Sequence, residues 1–268
     1  RYRYNNSPLD IDGHRIYIND GGTIWNPGWQ PTKSELDAYS CRHGLGYTIL
    51  TGEKNGIRAQ QELFVPRGDA CEIDRLTLEN KTDAPRTLDV FSYVEFCLWD
   101  AMDDSSNFQR NFSTGEVEVV GSAIYHKSES RERRDHYAVF WANTPVTSFD
   151  TARDAFCGVY GGPAEPEAVK AGRCSNSIAH GWAPVGAHHF HLTLEAGETR
   201  TILFGLGYIE NPVDEEFTAP GVINKTRAQA MAARYATDAQ VDAALARLHD
   251  HWNNLLSTYS VKSSDEKL

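Results

Sequence analysis

Short stretches in which apolar and polar residues alternate fill most of the first 210 positions of this 268-residue chain. Segment 16–22 is one such stretch, and its final Gly-Gly pair favours a turn. Segment 47–66 contains two alternating runs separated by Asn55 and Gly56, a pair typical of a tight β-hairpin. Residues 25–31 combine tryptophan, glycine and proline, which predicts a rigid irregular connection. Because an alternation with a period of two places every second side chain on one face, these runs predict strands.

Two further strand pairs are predicted downstream. Runs 72–80 and 87–96 are expected to pair with each other, and 188–211 is expected to form a hairpin that turns at Ala196 and Gly197. Short strands separated by regular turn residues are typical of an all-β protein rather than of alternating strands and helices. The sequence therefore predicts a large antiparallel β-sandwich.

The period changes near the C-terminus. Thr237 and Gln240 have the spacing of a helix capping box, and a shorter helix is predicted at about 225–235. Apolar residues then recur at helical spacing: Val241, Ala244, Leu245, Leu248, Trp252 and Leu255. We therefore expect two parts, a β-sandwich domain at 1–222 and a helical linker at 223–268. We also expect the apolar stripe of the linker to be partly exposed, which would favour self-association of the chain.

Composition narrows the classes of partner and compartment. The formal net charge of −11 argues against nucleic acids and anionic membranes, which need basic patches. No apolar run is long enough to span a bilayer. The five cysteines are scattered without CxxC spacing, and the N-terminal residues contain no apolar core of a signal peptide. These features predict a cytoplasmic protein with reduced thiols.

Few residue groups suggest metal binding. Cys41 with His43, and His188 and His189 with His191, are close groupings of cysteine and histidine. Neither supplies the four ligands of a structural zinc site, so no metal is predicted. We interpret the histidines as part of a polar strand edge.

Catalytic groups are equally hard to find. Asp103 with Asp104, and Glu116 with Glu118, could form an acid–base pair for glycosidic cleavage. Adjacent carboxylates rarely flank opposite faces of a sugar ring, and residues 116 and 118 would share one face of a solvated strand edge. The sequence also lacks a GxSxG elbow and a phosphate-binding P-loop. No catalytic residue is therefore predicted within this chain.

One polar connection has a suggestive composition. In the stretch SSNFQRNFSTGEVEV at 105–119, Arg110 stands between Gln109 and Asn111. A guanidinium is a planar fork of donors suited to neighbouring sugar hydroxyls, and amides supply both donors and acceptors. From the residues alone, a sugar-binding segment and a solvated loop remain equally open interpretations.

The same stretch resembles a known family. It is similar to the cellobiose phosphorylases, inverting glycoside phosphorylases of glycoside hydrolase family 94. Other similar segments follow in the same order along the whole chain: RYRYNN at 1–6, CRHGLGYT at 41–48, FSYVEFCLWDA at 91–101, IYHKSESRERRDHYAVF at 124–140 and LLSTYSVKSSDEKL at 255–268.

The resemblance implies a fold and an activity. Such enzymes are cytoplasmic homodimers that convert cellobiose and inorganic phosphate, a co-substrate, into α-glucose 1-phosphate and glucose without a cofactor. Their N-terminal supersandwich, similar to galactose mutarotase, is followed by linker helices and an (α/α) barrel that holds the catalytic Asp. The present chain would lack that barrel and be inactive alone. Arg110 matches the arginine that binds the acceptor glucose, with Gln109 and Asn111 as supports, whereas Arg42 and His43 would hold a domain interface.

Two alternatives remain from other functional classes. A stand-alone carbohydrate-binding sandwich would need an exposed aromatic platform, for which Trp25, Trp29 and Trp99 are candidates. A mutarotase-like enzyme would need a histidine and a carboxylate beside a sugar, and the nominated histidines are His126, His136 and His180.

Overall fold

The computed structural model describes residues 14–96, 115–128, 136–181, 184–259 and 262–264. Two antiparallel sheets form a supersandwich with helices at its C-terminal side, which confirms the predicted fold class. The five-stranded sheet has the order β11-β12-β7-β1-β2 and the eight-stranded sheet the order β3-β4-β5-β6-β13-β10-β9-β8. No helix within the described residues is long and apolar enough to cross a membrane.

The strands of the five-stranded sheet are β1 Arg15–Asp20, β2 Thr23–Trp25, β7 Arg86–Glu95, β11 Ser148–Ala152 and β12 Pro184–Leu194. Those of the eight-stranded sheet are β3 Ala38–Gly44, β4 Tyr47–Lys54, β5 Ile57–Phe64, β6 Cys71–Asn80, β8 Gly115–Val120, β9 Ala123–Ser128, β10 His136–Ala142 and β13 Thr199–Glu210. A small ribbon consists of β14 Phe217–Ala219 and β15 Val222–Ile223. The helices are α1 Arg153–Cys157, α2 Glu167–Ala171, α3 Thr226–Ala233 and α4 Asp238–Leu256, with a 3₁₀ turn at Val213–Glu215.

The main core lies between the two sheets. Alternate residues of each strand face inward, and the largest of them include Trp25, Phe140, Phe190 and Phe204, all almost fully buried. Burial of a large apolar side chain contributes about 1.5–3 kcal/mol, so this layer holds the sheets face to face.

Two predicted turns are confirmed. β4 and β5 pair directly through Asn55 and Gly56, whose φ angles are 51° and 78°. Positive φ at both central positions is what a two-residue hairpin needs to match the twist of its strands. The turn after β1 likewise consists of Gly21 and Gly22, both with positive φ.

Two predicted pairings are wrong. β6 pairs with β5 and β13 in one sheet, while β7 pairs with β1 and β12 in the other. β12 and β13 are also in opposite sheets, so 188–211 is not a hairpin. The connections β6–β7 and β12–β13 each pass from one sheet to the other. The two strands of each pair therefore face each other with their apolar sides across the core. Alternation alone cannot distinguish strands that pair side by side from strands that face each other.

The C-terminal helices cover the outer face of the eight-stranded sheet. The capping box is confirmed, because the Thr237 side chain accepts from the Gln240 backbone and the Gln240 side chain accepts from the Thr237 backbone. Val241, Leu245 and Leu248 are buried in a second apolar cluster against sheet residues. The expectation that this stripe is exposed is therefore wrong for these residues, whose partner is the chain's own sheet. The division at residue 222 stays a prediction.

Candidate functional site at the open end of the sandwich

The predicted sugar-binding residues lie outside the described residues. Arg110, Gln109 and Asn111 belong to segment 97–114, as do Asp103 and Asp104. The structure does describe both ends of this segment. It leaves Phe96, which follows β7 in the five-stranded sheet, and returns at Gly115, the first residue of edge strand β8 in the eight-stranded sheet. The segment therefore connects the two sheets.

Other strands begin or end on the same side of the sandwich. The registers place the start of β1 and of β12 beside the end of β7, through the pairs Arg15 with Tyr93 and Val185 with Glu95. Residues 1–13 and 182–183 precede these two strands, and 129–135 joins β9 to β10 beside the start of β8. We call this side, where β7 ends and β8 begins, the open end.

A cavity of about 430 Å³ lies at the open end between the sheets. Its lining is Val65, Ala70, Cys71, Glu72, Glu95, Phe96, Ala138, Leu206, Gly207 and Tyr208. Burial raises the pKa of the Glu72 carboxyl, opposed in part by the nearby His14. A mostly apolar pocket of this size with a few carboxyl groups is typical of a small-molecule site or of a socket for a chain segment.

Glu95 and Phe96, the residues directly before segment 97–114, make close contacts with their neighbours. The Phe96 ring stacks on His126, with centroids 5.0 Å apart and planes at 25°, which joins the two sheets. Glu95 accepts a hydrogen bond of 2.7 Å from the Tyr93 hydroxyl and lies 3.3 Å from the Arg153 guanidinium. A stacked pair and a half-buried ion pair fix the direction in which the chain leaves β7.

A buried polar network crosses the interior near this cavity. Asp74 Oδ2 lies 2.7 Å from the donating Nε2 of Gln61 and 2.8 Å from Nδ1 of His14. The other ring nitrogen of His14 is 3.2 Å from the hydroxyl of Ser92. Sequence reasoning missed this network, because its members come from four strands or strand ends that are distant along the chain. The mutual hydrogen bonds orient His14 between the sheets.

The histidines nominated for mutarotase chemistry have other surroundings. His126 is buried against Phe96, and His136 lies edge-on to Tyr208, 3.7 Å from Glu210. His180 is exposed. None of these three histidines is among the described residues that line the cavity.

The histidines of β12 are not a polar strand edge, contrary to the prediction. β12 lies inside the five-stranded sheet, and His188 and His189 are buried. His189 bridges Ser148 and Asp89 at 2.8 Å on each side, and His191 also lies 2.8 Å from Asp89. Burial lowers the pKa of His189, against the opposing effect of Asp89. No group of three metal-binding side chains suited to an ion occurs within the described residues.

His188 faces the core. Its ring is fully buried and stacks on Phe140, with ring centroids 4.5 Å apart, and neither ring nitrogen has a hydrogen-bond partner among the residues that the structure describes. Burial, with a smaller contribution from His14, lowers the pKa of His188 from 6.5 to about 3. The neutral ring is therefore the form that the folded core accepts.

This burial predicts acid sensitivity. Because the folded-state pKa is depressed, the unfolded chain binds the proton first, and stability is lost as the pH falls from about 6.5 towards 3. His188→Phe is expected to remove this loss and to gain about 2 kcal/mol over the wild type between pH 7 and pH 5. Urea unfolding at both pH values measures the gain. The same substitution at the exposed His180 controls for adding an apolar ring, and equal pH dependence in His188→Phe and wild type would refute the assignment.

The remaining nominated residues differ in exposure. Trp25 is fully buried in the core and cannot be a sugar platform, Trp29 is 43% exposed, and Trp99 lies outside the described residues. Glu118 is on edge strand β8, as predicted, but is not simply solvated, since it accepts a hydrogen bond from Ile223 N and pairs with Lys225. Arg42 and His43 lie on the exposed edge strand β3, and their role at a domain interface stays a prediction.

Comparison with known proteins places this architecture in a family. Residues 1–238 match the family model described as glycosyl hydrolase 94, supersandwich domain. The chain is 32% identical to an N,N'-diacetylchitobiose phosphorylase of Vibrio proteolyticus over 98% of its length and 34% identical to a solabiose phosphorylase of Paenibacillus borealis over 93%. It spans about a third of these relatives, 32% and 34% of their lengths.

A solved structure of a galactose mutarotase-related enzyme from Lactobacillus acidophilus is also similar. It has a TM-score of 0.38 and 8% sequence identity, with 74% of this chain and 79% of that chain covered.

Proposed function

Because this chain belongs to the glycosyl hydrolase 94 family of supersandwich domains, we propose that it is the N-terminal module of an inverting disaccharide phosphorylase. The curated relatives named above are phosphorylases about three times its length. In this proposal the catalytic carboxylic acid and the phosphate site belong to an (α/α) barrel that follows. The module is inactive alone and supplies part of the acceptor subsite.

The main observation behind this proposal is that the end of β7, the start of β8 and helix α4 all lie at the open end. Segment 97–114, which contains Arg110, follows β7 and precedes β8, and both of these strand ends lie there. Helix α4 reaches the same end, because Leu248 and Trp252 lie against Gly46 in the β3–β4 turn. The rings of His249 and Tyr47 also pack together, with centroids 4.9 Å apart. A domain that follows α4 would therefore begin on the side of the sandwich where β7 ends and β8 begins.

The chemistry assigns Arg110 a binding role. In an inverting phosphorolysis, phosphate attacks the anomeric carbon while a carboxylic acid on the opposite side protonates the leaving sugar. The Arg110 fork would hold two oxygens of that leaving glucose, and Gln109 and Asn111 would support it. The contacts of Glu95 and Phe96, directly before segment 97–114, support this role, because a side chain that positions a substrate needs a fixed backbone at its attachment.

Cellobiose is the substrate that the motif resemblance favours. The relatives compared above are named for N,N'-diacetylchitobiose and solabiose, so the family contains several specificities. A homodimer, a cytoplasmic location and the use of phosphate without a cofactor belong to the same proposal and are supported by the resemblance alone.

Phosphorolysis tests the proposal. Residues 1–268, and a chain extended beyond Leu268, would be incubated with phosphate and cellobiose, N,N'-diacetylchitobiose or solabiose, and the sugar 1-phosphate measured. We expect product only from the extended chain and most rapidly from cellobiose. A faster reaction with another disaccharide would show that cellobiose is not the preferred substrate. Product from residues 1–268 alone would show that the catalytic acid does not belong to a following barrel.

A further inference from the structure

A fully exposed aromatic ring stands beside a groove on the five-stranded side of the molecule. Tyr160 is 102% exposed, and the neighbouring Val159 is 71% exposed. Trp25 and the other large aromatics of the core have no such exposure. Single exposed apolar residues are common, so the surroundings of Tyr160 decide whether this one has a role.

The loop that presents Tyr160 is fixed at both ends. Gly158 has a φ of 87°, and its N–H donates to Asp154 O at 3.0 Å. A Cβ on Gly161 would lie 2.0 Å from Cys157 O, so only glycine permits the loop to fold back on α1. At the far end, the Tyr17 hydroxyl donates to Pro163 O at 2.8 Å, and Tyr17 is itself completely buried. The backbone on both sides of Tyr160 is therefore anchored to the fold, and the ring itself is exposed.

The groove beside this ring contains complementary polar groups. It has a volume of about 540 Å³ and is bounded by the loop and by Glu165, Glu167 and Lys170. Lys170 and Glu167 form an ion pair of 2.7 Å on one face of α2. Carboxylates accept and an ammonium donates, so the groove offers both halves of the hydrogen bonding that sugar hydroxyls need.

Charge further limits the ligand. Two carboxylates and one ammonium leave the groove with a formal charge of −1, which disfavours phosphates, uronates and nucleic acids. An aromatic face exposed to water stacks well on the apolar face of a neutral ring. We propose that this groove, defined by Tyr160, Glu165, Glu167 and Lys170 and here called the Tyr160 groove, binds a neutral pyranose unit of an oligosaccharide.

This site would be separate from the acceptor subsite and independent of the proposed reaction. Its expected role is to hold a sugar chain on the module, and it would remain valid if no phosphorolysis occurred. Binding by exposed stacking is weak, so an affinity in the millimolar range is expected, roughly 4 kcal/mol in free energy.

Calorimetric titration of the intact protein with cellotetraose tests the site. Tyr160→Ala is expected to weaken binding at least tenfold, whereas Tyr160→Phe keeps the ring and should retain it. Tyr259→Ala, which removes another largely exposed tyrosine, is the matched control and should bind as the wild type does.

Three outcomes would overturn the proposal. The first is equal binding of cellotetraose to the wild type and to Tyr160→Ala, and the second is binding to neither at concentrations up to tens of millimolar. In a third case, Tyr160→Ala would change the sedimentation coefficient of the protein in the absence of sugar, which would make the ring a contact between protein molecules. Circular dichroism of each variant establishes that the fold is retained.

Discussion

Asp150→Ala is expected to lower the free energy of unfolding by about 4 kcal/mol, among the largest effects of a single substitution here. Asp150 is fully buried on β11, and its Oδ1 accepts four hydrogen bonds from loop 173–179. The donors are Ser175 N at 3.1 Å and Oγ at 2.6 Å, and Ser177 N at 3.0 Å and Oγ at 2.7 Å. Alanine would leave these donors without their acceptor and release the loop from the sheet.

Equilibrium urea unfolding followed by circular dichroism measures this effect. Asp154→Ala, at an exposed position of α1 four residues away, is the control and is expected to change stability by less than about 0.5 kcal/mol. A loss below about 1 kcal/mol for Asp150→Ala would show that the loop does not depend on the carboxylate.

Asn80→Ala is expected to lower the free energy of unfolding by about 3 kcal/mol. Asn80 is fully buried where the connections β6–β7 and β12–β13 pass each other. Its amide donates to Ala84 O at 2.8 Å, Leu194 O at 3.1 Å and Glu195 O at 3.0 Å. One side chain thus joins the two corners at which the chain changes sheets.

The variant Asn80→Asp separates hydrogen bonding from shape in the same unfolding experiment. Aspartate keeps the size and the acceptor oxygen but has no N–H to donate, so it should destabilise at least as much as alanine. Asn253→Ala, exposed on α4, is the control. If Asn80→Asp were as stable as the wild type, the three carbonyl contacts would not be what holds the corners.

Local signals in the sequence predicted local structure well. The hairpin at 47–66 and the capping box at Thr237 and Gln240 follow from a few adjacent residues whose geometry has one good solution. The pairings of 72–80 with 87–96 and within 188–211 failed because they depend on which sheet each strand joins. The decisive contacts at Asn80 link residues more than a hundred positions apart, which no turn signal records.

The sequence also did not show which faces of the strands and helices are covered by other parts of the chain. His188 and His189 were interpreted as polar because of their side chains, but β12 is covered on both faces, by the core and by the layer that contains Phe156 and Val169. The stripe on α4 was correctly identified as apolar, and only its partner was missed. An amphipathic helix shows which face is buried and not what covers it.

The binding roles of Arg110, Gln109 and Asn111 stay predictions, because these residues lie outside the described part of the chain. The connection of β7 in one sheet to β8 in the other could not be derived from the sequence, because it depends on which sheet each strand joins. Tyr160 was missed altogether, although glycines on both sides of Val159 and Tyr160 are a signal of a tight, exposed loop.

The central claim is that this module supplies the acceptor subsite. The most direct test is the reverse of phosphorolysis, in which the extended chain joins glucose 1-phosphate and glucose, measured with and without Arg110→Ala. The rate is measured against glucose at saturating glucose 1-phosphate, and then against glucose 1-phosphate at saturating glucose. If this module supplies the acceptor subsite, the variant raises KM for glucose at least tenfold and leaves KM for glucose 1-phosphate within about twofold, a loss of at least about 1.4 kcal/mol confined to the acceptor. The exposed Arg173→Ala is the control and should match the wild type. An unchanged KM for glucose in Arg110→Ala would contradict the account.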